Sequence, residues 1–176
     1  MMLYHEADWK GTRDGLDALH QVHKSVPETK VILFGVPKTP KGLPPWVQYY
    51  CRPRQEVLCD LYNSASIFVS PSWAEGWPLP PAEAMMCGAA LVATDIGGHR
   101  EYAIHGKTAL LSPAKHPREL AENILRLIRT PSLRIELANS GYKHIQQFTW
   151  DRATDAFEVY LSSLCNDAEL PVTREL

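Results

Sequence analysis

Short apolar runs alternate along this chain with longer stretches whose apolar residues recur every three or four positions, and the two patterns predict different elements. Leu16, Leu19 and Val22 fall at helical spacing between Gly15 and Val26, and Pro27 helps to end that pattern. Lys30-Val31-Ile32-Leu33-Phe34-Gly35 then reads as a buried strand, followed by a proline-rich loop containing Gly42. Val47 to Cys51 is the next strand candidate; Val57, Leu58, Leu61 and Tyr62 mark one face of a helix running to about Ser64. Ile67 to Ser70, Ala90 to Thr94 and Thr108 to Ser112 complete five predicted strands. Strands that are apolar throughout and alternate with helices imply an α/β fold, with a parallel sheet flanked by helices on both faces.

Beyond Pro117 the pattern is helical. Leu120, Ile124, Leu127 and Ile128 form one stripe, and Pro131 opens a second helix with Leu133, Leu137 and Ile145. A last helix carries Trp150, Ala153, Phe157, Tyr160, Leu161 and Leu164, a wide apolar face suited to core or interdomain packing. Residues 1–165 are expected to form one domain including these helices, with 166–176 a polar, frayed tail.

Charge and cysteine usage narrow the function classes. With 18 basic and 20 acidic residues, a net charge of -2 gives no general basis for nucleic-acid binding. Cys51, Cys59, Cys87 and Cys165 have no CxxC spacing and read as reduced, mostly structural thiols, which suits a cytoplasmic location. His20 and His23 share a helix face, but no further ligand completes a metal site. No apolar run approaches the roughly 20 residues a membrane span needs, and Met1 to Asp8 lacks a signal-peptide pattern, so a soluble protein is expected.

The candidate chemistry lies in Ser70-Pro71-Ser72-Trp73-Ala74-Glu75-Gly76-Trp77-Pro78-Leu79-Pro80-Pro81-Ala82-Glu83, between a strand and the helical run Ala84-Met85-Met86-Cys87-Gly88. Proline is tolerated only in a helix's first turn, so Pro80 and Pro81 set where the helix begins and put Glu83 in that turn or just past it. The turn's free backbone N–H groups form a seat for phosphate. A carboxylate beside that seat repels phosphate but accepts hydrogen bonds from neutral hydroxyls. A capping box would need Ser or Thr three residues before Glu83, where Pro80 stands; a simple contact with the helix dipole is the other reading. Glu75 is either a solvated loop acid or part of a loop, with Gly76, Trp77 and Pro78, that a ligand approaches closely. Gly97 and Gly98 either admit a ligand to the backbone or make a turn.

Glu75 and Glu83 with seven residues between them, Glu83-Ala84-Met85-Met86-Cys87-Gly88 and Thr94-Asp95-Ile96-Gly97-Gly98 closely resemble, in this order, the donor-binding motif of the group 1, or family 4, retaining glycosyltransferases. The likeness covers most of the chain, from Lys10-Gly11 to Phe148-Thr149-Trp150 at the start of the last helix. It implies a Rossmann-like domain, the C-terminal, donor-binding second half of a two-domain GT-B glycosyltransferase, with the acceptor held by an N-terminal domain absent from this sequence. The donor would be a nucleotide-diphosphate sugar, a hexose conjugate in the family's usual pattern, and no cofactor would be needed. By the same resemblance Glu75, the candidate catalytic residue, binds hydroxyls of the donor sugar and Glu83 those of the ribose. Backbone donors around Gly76, Trp77, Pro78 and Leu79 meet sugar or phosphate, and Lys10 meets the diphosphate. Trp77 shapes the pocket or simply packs.

Two departures stand out. The family's arginine before the lysine is missing, since Leu3-Tyr4-His5 occupies that place, and Arg52 and Arg13 are the possible substitutes. Ala109 replaces a common glycine. No Asp-x-Asp pair is present to hold a metal between phosphates, which fits metal-independent transfer. Such a chain is expected to turn over poorly by itself, with membrane contact at most peripheral and through the other domain. The alternative is a non-catalytic nucleotide-sugar-binding or interaction module. A nicotinamide dehydrogenase is disfavoured because no strand leads into Gly-x-Gly-x-x-Gly.

Overall fold

The structure, a computed structural model, describes residues 1–38, 40 and 42–167. Its elements run β1 (Met2–Tyr4), a 3-10 turn (Asp8–Lys10), α1 (Thr12–Ser25), β2 (Val31–Gly35), β3 (Val47–Cys51), α2 (Gln55–Ser64) and β4 (Ile67–Ser70). They continue with α3 (Leu79–Met86), β5 (Ala90–Thr94), α4 (Gly97–Arg100), β6 (Ala109–Ser112), α5 (Pro117–Arg129), α6 (Pro131–Ile145) and α7 (Trp150–Asp167).

The six strands form one parallel sheet in the order β3-β2-β1-β4-β5-β6. Five are the strands that the apolar runs predict. The sixth, β1, is too short to show a pattern, yet it lies at the middle of the sheet, with Met2 opposite Leu33 on one side and Val69 on the other. The chain lays down β1, β2 and β3 outward in one direction, then returns to place β4 on the other side of β1. Loops leaving the carboxyl ends of β1 and β4 therefore diverge to opposite faces, and a crevice opens between them.

Side chains alternate across the sheet and bury both faces. Ala90 and Val92 of β5 join a core with Ala18, Leu19 and Val22 of α1 and Leu120, Ile124 and Leu127 of α5. Leu91 and Ala93, pointing the other way, pack with Phe68, Met85, Tyr62 and Tyr102. Helix α6 contributes Leu137 to the first core and Ile145 to the second. Each face is thus closed by helices, as an all-parallel sheet requires.

Residues 1–145 make one compact unit, and a second begins at Gln146. The second contains α7, whose start at Trp150 agrees with the sequence reading. Within that unit its apolar stripe is not packed: Phe157, Tyr160 and Leu161 are all exposed. Beyond Asp167 the expected polar tail lies outside the described residues. Cys51, Cys59 and Cys87 are unbridged, as expected; Cys87, half-buried, packs against the second core as a structural thiol would, whereas Cys51 and Cys59 are exposed. The Cys165 side chain lies outside the described residues.

Candidate functional site

Two loops meet at the crevice. After β1 the chain makes the 3-10 turn that ends at Lys10, and Gly11 follows with φ of 62°. A side chain at Gly11 would be strained by that angle, and its Cβ would overlap the Pro71 carbonyl of the loop after β4. The pair Lys10-Gly11 is therefore a packing requirement as well as a charge: only glycine lets the two loops approach. Trp73 fastens them further, its backbone N–H donating to the Trp9 carbonyl at 2.7 Å and its indole N–H to Asp14 Oδ2 at 2.7 Å.

This approach brings Lys10 to Glu75. The Lys10 ammonium donates to Glu75 Oε1 at 2.8 Å and Oε2 at 3.0 Å, and the buried Ser72 hydroxyl donates to Oε1 at 2.8 Å. Both charged side chains are largely covered, at 24% and 12% exposure for Lys10 and Glu75, so their attraction is less screened than on an open surface. A pocket beside them is lined by Lys10, Ser70, Ser72, Glu75, Pro78 and Pro80.

Behind this pair a buried polar network fixes the ends of β4 and β5. His99, fully buried on α4, donates through Nδ1 to the Thr94 carbonyl at 2.8 Å, because a carbonyl can only accept. Its Nε2 is then the acceptor for the Ser70 hydroxyl, also at 2.8 Å, and Thr94 Oγ1 donates to the Ser72 carbonyl. Burial lowers the His99 pKa, with the bond to Thr94 and the charge of Glu75 opposing and that of Lys10 assisting, so the neutral ring is favoured. Neither its burial nor its partners could be seen in the sequence.

The helix start differs in detail from the expectation. Helix α3 begins at Leu79 with Pro78 as its N-cap, so Glu83 lies just past the first turn, and the capping box fails because the cap has no side-chain bond. Of the four residues whose backbone N–H groups a helix leaves unpaired, Pro78, Pro80 and Pro81 have none to offer. Leu79 alone supplies a donor, and it is exposed. The phosphate seat is thus narrower than a whole helical turn. Tyr102, fully buried, donates its hydroxyl to the Pro78 carbonyl at 3.0 Å and holds this entry in place. Trp77 packs its ring edgewise against Tyr102, with centroids 5.1 Å apart, so it both packs and remains 38% exposed.

Glu83 is exposed and accepts a 2.8 Å hydrogen bond from Tyr62 of α2. It does not line the Lys10–Glu75 pocket. Gly76 has open space where a side chain would be, whereas Gly98 is packed against the carbonyls of Glu75 and Gly76, so its small size serves the loop itself. Gly97, beside it, faces open space. Arg13 is exposed on the first turn of α1, and Arg52 follows the edge strand β3, with β2 between that strand and β1. Neither arginine lines the pocket. Among the described residues no group of three His, Cys, Asp or Glu is placed to hold a metal ion, and no helix is long and apolar enough to cross a membrane.

Comparison with known proteins gives this geometry a family. A D-inositol 3-phosphate glycosyltransferase of Streptomyces bingchenggensis is 32% identical over 111 residues, 62% of this chain and 24% of the relative. The Anabaena protein HepE, solved in complex with UDP-glucose, superposes with a TM-score of 0.78 at 24% identity, over 92% of this chain and 48% of that one. The C-terminal domain of a glycosyl transferase group 1 family protein from Francisella tularensis superposes with a TM-score of 0.71 at 23% identity, covering 84% and 82%. The chain spans about a quarter of the length of the curated relatives it matches. The family model described as glycosyl transferases group 1 matches residues 2–130, the whole sheet with helices α1 to α5, and the chain belongs to that family.

Proposed function

We propose that this chain is the C-terminal, donor-binding domain of a family 4 retaining glycosyltransferase. It binds a nucleotide-diphosphate sugar, whose sugar passes to an acceptor held by an N-terminal domain. The observation that carries this reading is the Lys10–Glu75 pair at the β1/β4 crevice, with Glu83 on the adjoining helix. One group is cationic, and two are carboxylates with different surroundings. That set suits a ligand that is anionic in the middle and hydroxylated at both ends. The complex of HepE with UDP-glucose, and the Francisella domain being a C-terminal one, support the same assignment by analogy of fold.

In this reading ligand entry exchanges partners. Lys10 leaves Glu75 for the diphosphate, and Glu75 accepts hydroxyls of the sugar instead. Glu83 accepts those of the ribose, and the Leu79 N–H, with Gly76 and Trp77 before it, meets phosphate or sugar. When the sugar–phosphate bond breaks, negative charge grows on the diphosphate, and a preorganised ammonium and N–H donors lower the barrier where that charge appears. The chain has no Asp-x-Asp pair, so we assign charge neutralisation to these groups without a metal or other cofactor, in a cytoplasmic enzyme.

The test is a titration of the ¹⁵N-labelled chain with nucleoside diphosphates and their hexose conjugates. Shifts clustering at Lys10, at 75–79 and at Glu83 are expected with at least one nucleotide. No shift there with any member would overturn the reading.

A further inference from the structure

We infer that Tyr62 is a positioning residue for ribose recognition, holding Glu83 in the orientation that accepts ribose hydroxyls. This rests on the reading of Glu83 as the ribose contact. Tyr62 is only 4% exposed and its ring packs in a three-ring cluster with Phe34 and Phe68, whose centroids are 5.7 Å and 5.9 Å away and 6.4 Å from each other. The ring cannot swing, so its hydroxyl is a fixed point at the surface of the second core. From there it donates to Glu83 Oε2 at 2.8 Å.

Glu83 needs such an anchor. It is an exposed glutamate with three rotatable side-chain bonds, and among the described residues it forms no ion pair, unlike Glu75. Ordering a free side chain of this kind on binding costs affinity, and an anchor removes part of that cost beforehand. The anchor also leaves the chemistry intact. A carboxylate has about four acceptor sites and Tyr62 occupies one, so both oxygens keep capacity for two neighbouring hydroxyls. A cation would have lowered the carboxylate's acceptor strength, whereas a phenol does so less. Burial, then the bond to Glu83, pushes the Tyr62 phenol well above its ordinary value, so it remains a donor at any pH the protein meets.

The experiment compares UDP, 2′,3′-dideoxy-UDP and inorganic pyrophosphate as ligands of the full chain, by calorimetry or NMR, in wild type, Tyr62→Phe, Glu83→Ala and the double variant. Tyr62→Phe is expected to weaken UDP about five- to tenfold while changing dideoxy-UDP and pyrophosphate less than twofold. In the Glu83→Ala background it should cost UDP nothing further. Equal losses for all three ligands, or an undiminished loss in that background, would make Tyr62 merely structural; an unchanged UDP affinity would also overturn the inference. A wild type that binds UDP no better than dideoxy-UDP would instead remove the ribose role of Glu83, and the role of Tyr62 with it. Retained pyrophosphate binding reports that each variant is folded.

Discussion

At the scale of single residues, Glu75 and Glu83 are equivalent in chemistry and opposite in circumstance. Glu75 is covered and paired with Lys10 and Ser72; Glu83 is exposed and held by a phenol. Their substitution should therefore differ. Glu83→Ala is expected to weaken UDP and a UDP-hexose alike, by about tenfold, the scale of one hydrogen bond to a charged group. Glu75→Ala should leave UDP affinity undiminished, because it frees Lys10 for the diphosphate, and should weaken only the sugar conjugate. Calorimetry with both ligands checks this, and equal losses of UDP and the conjugate in Glu75→Ala would remove the division of roles. The carboxylates themselves were legible in the sequence, because Pro80 and Pro81 mark the helix start beside them. Lys10 was legible too, though as a diphosphate contact, whereas Ser72 and Tyr62 were not. Ser72 stood inside the motif with nothing to mark its bond, and Tyr62 read only as one apolar position on a helix face, since spacing reports which side a residue faces and not where its hydroxyl ends.

Among the elements, the one that organises the crevice left the weakest trace. Met2-Leu3-Tyr4 is too short for either period to register, so the strand between β2 and β4 was invisible, and with it the reversal of strand order that sites the pocket. The longer runs fared better: Ile67 to Ser70 and Ala90 to Thr94 have the same bounds in the sheet as in the apolar pattern. Proline chemistry also read correctly in outline, but three prolines at 78, 80 and 81 remove donors as well as fix the start, leaving Leu79 as the helix's one free N–H. At this scale Gly11→Ala is the decisive substitution. Its positive φ and the Pro71 carbonyl both oppose a side chain, and we expect a loss of about 2 kcal/mol or more in urea unfolding, with weakened UDP binding as the two loops part. Wild-type stability in that variant would mean that the loops do not depend on their close approach.

For the 1–145 unit as a whole, the buried His99 network couples stability to pH. Below the ordinary histidine value of 6.5 the unfolded chain takes up a proton that folded His99 resists, because its folded value is lowered. The stability contributed by neutral His99 is therefore present above 6.5 and lost as pH falls through the lower folded value. Urea midpoints measured between about pH 5 and 7 should decline towards acid, and His99→Asn should flatten that decline while lowering stability at neutral pH. An unaltered slope would assign the acid sensitivity elsewhere. Removing divalent ions with EDTA should leave UDP affinity within twofold; a larger fall would contradict neutralisation of the diphosphate by Lys10 and backbone donors.

The most direct measurement is a crystal structure of this chain with a UDP-hexose bound. Ribose hydroxyls on Glu83, diphosphate oxygens on Lys10 with the ammonium drawn off Glu75, and sugar hydroxyls on Glu75 are the predicted arrangement. A donor bound with Lys10 still on Glu75, or with its ribose away from Glu83, would contradict it.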